Sequence, residues 1–371
     1  MASTYVWQGF RHEWLREVLG VRLPHRISRL HSHIAPDGRF SFAQSTGVDG
    51  NYMRPVGLWA RVEAPDLHVD HADVQLTWRD AIETRGVVPL ATSSRSETVR
   101  FELPPQQGIE RVEALLRGVR LDTRCCDAHQ PDGQPCNSNG FWPVSLQVRL
   151  GEVRLAPGYA EVDVETQVVR GWTPTRGGIP VLEEKPLNAA LDYDLEVGVT
   201  LVGSTADGLA ATRVRTETEG SARLRDGRRA SRRVRVRDEA PVVVGITGFG
   251  FEFVKTGRTR FHEHRGRYLS ALDFRAGDVT RSPGIAELET RTGVWIPRTV
   301  VGTDVRAFLE TSVLQPLHAD ARVARGSVAG SLCIHSSDQA PFFSWWRPKA
   351  GRYGAVQSAD ARVLPSSLPA R

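Results

Sequence analysis

The sequence predicts an all-β protein with antiparallel strands of β-sandwich or jelly-roll type. Three observations predict it. Runs of alternating apolar and polar residues recur along most of the chain. Gly/Pro turn signals separate them. Helical periodicity is confined to a few short stretches. With 371 residues, 40% of them hydrophobic, the chain can bury a substantial core, as one sandwich or as two packed together.

In chain order, residues 6–19 place Trp7, Phe10, Trp14, Leu15, Val18 and Leu19 at helical spacing, so a short N-terminal helix is expected. Pro24 and a Gly/Pro-rich stretch follow, and residues 1–57 read as an N-terminal arm of helix and loop. A first β region covers 58–170. Val74, Leu76 and Trp78 alternate with polar residues, as do Val99, Phe101 and Leu103, then Val144 to Leu150. The segment 109–121 fits helix or strand. Residues 171–190, rich in Pro and Gly, read as a connection. A second β region covers 191–354. Its clearest strand is 191–202, and Phe249, Phe251 and Phe253 share a face opposite Gly248 and Gly250. Glycines in such places suggest a bend or a close approach by another backbone. Residues 303–314 (TDVRAFLETSVL) read as a second short helix, and 355–371 as a flexible tail.

The most informative stretch is Thr212 to Glu239. Asp226-Gly227 lies between two alternating runs and predicts a long hairpin. With a three-residue loop at 225–227, Val214, Thr216 and Thr218 share a face with Ala230, Val234 and Val236. Glu219 and Glu217 then lie opposite Arg233 and Arg235. Ten arginines and three acids between Arg213 and Arg237 give a local charge of +7. Arg229, Arg233 and Arg235 are the candidate anion- or partner-binding residues. In that register the glutamates neutralise the arginines, which favours a solvated face over a nucleic-acid site.

The whole chain carries +5 with a pI near 9.3, and lysine occurs only at 185, 255 and 349. No run of 18 apolar residues predicts a spanning helix, and no secretory signal pattern opens the chain, so a cytoplasmic location is expected. There is no G-x-S-x-G and no phosphate-binding loop motif.

Two groups have metal-ligand chemistry, and a transition metal ion is the cofactor they would imply. His262 and His264 form an H-x-H pair whose rings share one face of an extended strand. The pair resembles the metal-binding motif of cupins, a jelly-roll family. The motif's next acid is missing, the nearest being Asp273, and the spacing from Gly257 differs. The resemblance implies a metal-dependent enzyme. Cys126, His129 and Cys136, with Cys125 or Asp127, could close a zinc site within one loop, although a second separated ligand pair is absent. The aromatic cluster at 342–346 fits a core, a partner surface or a sugar-stacking site.

The leading expectation is therefore a non-enzymatic binding or assembly protein, with a protein partner or self-association. A jelly-roll enzyme using His262 and His264 comes second. An acidic-ligand or nucleic-acid binder using the 213–237 arginines comes third.

Overall fold

The computed structural model describes residues 2–15, 29–34, 39–45, 51–84, 90–125, 141–172, 175–176, 179–180, 187–221, 228–255, 271–295, 303–329, 332–334 and 361–362. Almost all of them are in antiparallel strands, and none is in an α-helix. In chain order the strands are β1 (Ala2–Leu15), β2 (Arg29–Ile34), β3 (Arg39–Ser45), β4 (Asn51–Ala64), β5 (His68–Thr84), β6 (Leu90–Glu102), β7 (Arg111–Cys125), β8 (Phe141–Leu150), β9 (Arg154–Ala156), β10 (Tyr159–Trp172) and the two-residue pair β11 (Thr175–Arg176) and β12 (Ile179–Pro180). Then follow β13 (Leu187–Ser204), β14 (Leu209–Ser221), β15 (Arg228–Arg235), β16 (Val243–Lys255), β17 (Ala271–Ser282), β18 (Ile285–Trp295), β19 (Thr303–Pro316), β20 (Arg322–Ala329), β21 (Leu332–Ile334) and β22 (Ala361–Arg362).

Three large sheets result. Sheet I runs β15-β18-β17-β1-β4-β20, sheet II runs β14-β19-β16-β8-β10-β6, and sheet III runs β22-β3-β2-β7-β13-β5. Strands from both sides of 171–190 share sheets: β13 pairs with β5 and β7, and β8 with β16. The largest core cluster draws on all three sheets, with Trp7, Trp59 and Phe274 from sheet I, Phe249 and Leu146 from sheet II, and Leu195 and Val197 from sheet III. Burial of these apolar faces drives the assembly.

Short connections gather at one end of the molecule: 65–67 joins β4 to β5, 205–208 joins β13 to β14, and 317–321 joins β19 to β20. At the opposite end lie Cys125, paired with Leu191, Lys255, paired with Thr303, and Ala271, paired with Trp295. The two-residue turn Pro283-Gly284 needs the left-handed conformation of Gly284 (φ 70°), which a side chain would strain.

The described residues of both expected helices, 6–15 and 303–314, are strands. At the N-terminus the error has a physical cause. Trp7 faces Trp59 and Gly9 faces Leu58, so Gln8 is an extra residue. Such a bulge turns a spacing of two into a spacing of three, which imitates a helix. The segment 303–314 lies in β19, paired with β14 and β16. Val305 is buried and Arg306 exposed, and then Ala307 to Pro316 are all buried because both faces are covered. A short segment apolar on both faces carries no decisive period. The ambiguous segment 109–121 is resolved as strand β7 from Arg111. Parts of the expected N-terminal loop, 39–45 and 51–57, are also strand. Of the expected tail, only 361–362 is described, paired with β3.

The expected hairpin does not form either. β14 pairs with β19 in sheet II, and β15 pairs with β18 in sheet I. The apolar grouping survives in another form: Val214, Val234 and Val236 enter one cluster with Val242, Val244, Leu288 and Val313. Thr218 and Thr292 also exchange a hydroxyl hydrogen bond of 2.5 Å. The two runs meet face to face from different sheets, instead of edge to edge in one.

The glycines opposite the phenylalanine face behave nearly as expected. Gly248 and Gly250 are crossed by neighbouring side chains. A Cβ on Gly250 would lie 2.5 Å from the Phe308 ring, and one on Gly248 would lie 3.0 Å from Glu310 Oε2.

Candidate partner-binding edge

β15 ends sheet I. It pairs with β18 on one side, and no described strand pairs with its other side. Its sequence is RRASRRVR. Val234 is buried and Ala230 half-buried, while Arg228, Arg229, Ser231, Arg232, Arg233 and Arg235 are exposed. The even positions Ala230 and Val234 face the core, so Arg229, Ser231, Arg233 and Arg235 share the outer face, about 6.8 Å apart in sequence order.

The expected neutralisation of these arginines is absent. Glu219 pairs with Arg306 (3.2 Å) and Glu217 with Arg215 (2.7 Å), both within sheet II. Arg229 approaches Glu289 at 3.4 Å, a pair exposed on both sides. Glu287, opposite Arg233 in the ladder, accepts a hydrogen bond from the Ser231 hydroxyl at 2.5 Å. Arg233 and Arg235 make no ion pair among the described residues. The edge therefore exposes backbone hydrogen-bonding groups and unneutralised positive charge together.

Other charged groups are committed to structure. Asp273 is fully buried, and Arg275 donates to both of its oxygens at 2.6 and 2.7 Å, with Arg291 at 3.7 Å. Glu113 on β7 accepts from Arg213 (2.6 and 3.0 Å) and Ser312 (2.9 Å), stitching sheet III to sheet II. Glu310 holds Arg149 (3.1 Å) and Arg215 (2.6 Å). These buried carboxylates are paired, as burial requires. Sequence reading passed over them, because Glu113, Asp273 and Glu310 each stand at the polar position of an alternating run.

On the outer face of sheet III, Arg117 is the extra residue of a bulge between β7 and β13. Its guanidinium passes Gly198, which lies opposite both Gly118 and Asp73, and pairs with Asp73. Beside it, His71 Nδ1 lies 3.0 Å from the Thr200 hydroxyl. Burial, helped by the Arg117 charge, pushes the His71 ring down to about 4, so it is neutral at pH 7.

Arg229, Arg233 and Arg235 are thus brought onto one exposed edge. His262, His264, Cys126, His129 and Cys136 lie outside the described residues, as does the aromatic cluster at 342–346. Among the described residues no three His, Cys, Asp or Glu side chains gather to hold a metal ion. No described helix is long and apolar enough to cross a membrane. No family model matches the chain, and no curated protein matches it.

Proposed function

We propose that this is a non-enzymatic binding protein of β-sandwich type, and that the β15 edge docks an extended, acidic segment of a protein partner. The observation that carries the reading is the coincidence of a strand edge that no described strand pairs with and Arg233 and Arg235, which make no ion pair among the described residues. A strand added in the plane of sheet I gains main-chain hydrogen bonds and meets the β15 side chains first. A nucleic acid laid flat over the same face would also meet Glu287 and Glu289 on β18, which disfavours it. The sandwich reading is supported by the cluster around Val234, Val244 and Val313, to which sheets I and II both contribute.

The test is titration of the full chain with a peptide of alternating Glu and Thr, about eight residues long to match β15. Binding should weaken with salt and fall about tenfold or more in Arg233→Glu/Arg235→Glu. Tighter binding of a thymidine oligonucleotide of similar length would overturn the reading in favour of nucleic acid. One equivalent of transition metal in the purified protein, lost in His262→Ala/His264→Ala, would replace it by the metal-dependent enzyme.

A further inference from the structure

The other end strand of sheet II, β6, carries different chemistry. It pairs with β10 without interruption, from Leu90 opposite Gly171 to Glu102 opposite Tyr159. No described strand pairs with its outer side. β5 approaches it from sheet III but pairs only with β13. Residues 94–98, Ser-Arg-Ser-Glu-Thr, are all exposed. The segment contains no proline, no bulge and no large apolar side chain, and Arg95 and Glu97 make no ion pair among the described residues.

The direction of the free backbone groups follows from one hydrogen bond. The Thr166 hydroxyl on β10 donates to the Arg95 carbonyl at 3.3 Å, so the Arg95 carbonyl faces β10. In an antiparallel ladder neighbouring residues alternate, so the N–H and C=O groups of Ser94, Ser96 and Thr98 face outward.

We infer that β6 pairs antiparallel with β6 of a second copy of this chain, about a two-fold axis at Ser96. This register places Arg95 opposite the partner's Glu97 and Glu97 opposite the partner's Arg95. One symmetric contact thus makes two cross-strand charge pairs. An axis at Arg95 or at Glu97 would set like charges directly opposite each other. An axis at Ser94 would leave both charges without opposite partners. Ladder direction and charge thus select one register. The contact would join the two copies of sheet II into one continuous sheet. It stands independently of the acidic partner proposed for β15.

The experiment is sedimentation equilibrium of the full chain across protein concentration. A reversible dimer is expected. Arg95→Glu should weaken it about tenfold, because symmetry spoils two cross-strand pairs, and the double reversal Arg95→Glu/Glu97→Arg should restore it. Ser96→Pro removes an outward-facing donor without changing charge, so it should abolish the dimer while the monomer keeps its β circular dichroism. A monomer at every concentration overturns the inference, as does a dimer equally stable in all three variants. Dimerisation lost in Arg233→Glu/Arg235→Glu but intact in Ser96→Pro also overturns it, by moving self-association to β15. Acidic-peptide binding retained in Ser96→Pro would leave the β15 reading standing if the dimer fails.

Discussion

β15 and β6 are both end strands, one of sheet I and one of sheet II, and both present free backbone groups. Their side chains differ. β15 exposes a row of arginines, and Arg233 and Arg235 make no ion pair among the described residues. Between Ser94 and Thr98, β6 exposes Ser and Thr around Arg95 and Glu97, placed symmetrically about Ser96. Two β15 strands brought together would repel, whereas two β6 strands complement each other. An edge is thus a general template for pairing, and its charge pattern decides which partner it accepts. If both readings hold, the dimer presents two β15 edges, and an acidic partner with two segments would bind with avidity.

The comparison can be broken most severely at Val234. It is buried in the cluster shared by sheets I and II. Val234→Asp should cost about 3 kcal/mol, read by urea unfolding, because it buries an unpaired carboxylate. It should loosen β15 and lose acidic-peptide binding in the folded fraction, while the β6 dimer persists. Charge reversal at the β15 edge is milder for the fold. Arg233→Glu/Arg235→Glu should change stability by less than about 0.5 kcal/mol, since both side chains are exposed. It should convert the preference from a Glu/Thr peptide to a Lys/Thr peptide, measured by calorimetric titration.

Acid separates the two edges by a smaller effect. Asp163 on β10 accepts hydrogen bonds from Arg154 and from Thr98 of β6 (2.6 Å), which hold its carboxyl at about 2. A folded value below the unfolded one contributes stability above about pH 4 that is lost as pH falls through about 2. β6 should therefore loosen from β10 in that window, and Thr98→Val should raise the Asp163 value, read by carboxyl NMR titration. His71 acts at higher pH. Its ring, also below its unfolded value, contributes stability that is full above about pH 6.5 and declines as pH falls towards about 4. His71→Gln should flatten stability between those limits and leave both edges unchanged.

Much of the architecture was legible because alternation is a local signal. Leu76, Phe101, Leu103, Leu146, Val148, Leu150, Leu195, Val197, Val199, Leu201, Phe249 and Phe251 are buried as the pattern marked. The two helical expectations failed where tertiary context disturbs that signal. A bulge at Gln8 changed the apparent period, and β19 is buried on both faces. The candidate edge was half legible. The arginines of β15 were visible as a run, but their supposed neutralisation by Glu217 and Glu219 was not real.

The sequence alone determined the all-β class, the cores of the cleanly alternating strands, and that positive charge concentrates near 228–235. These depend on side-chain period and composition, which neighbours in the chain specify. Tertiary structure alone decided the partners. Asp226-Gly227 suggested that two adjacent runs pair with each other, yet burial of Val214, Val234 and Val236 in a common core is met equally well when the runs face each other from different sheets. The hydrophobic effect is non-directional, so it constrains what must be buried without saying which backbone edges must meet. Pairing β14 with β19 and β15 with β18 gave Glu219 to Arg306 and left Arg233 and Arg235 at a free edge.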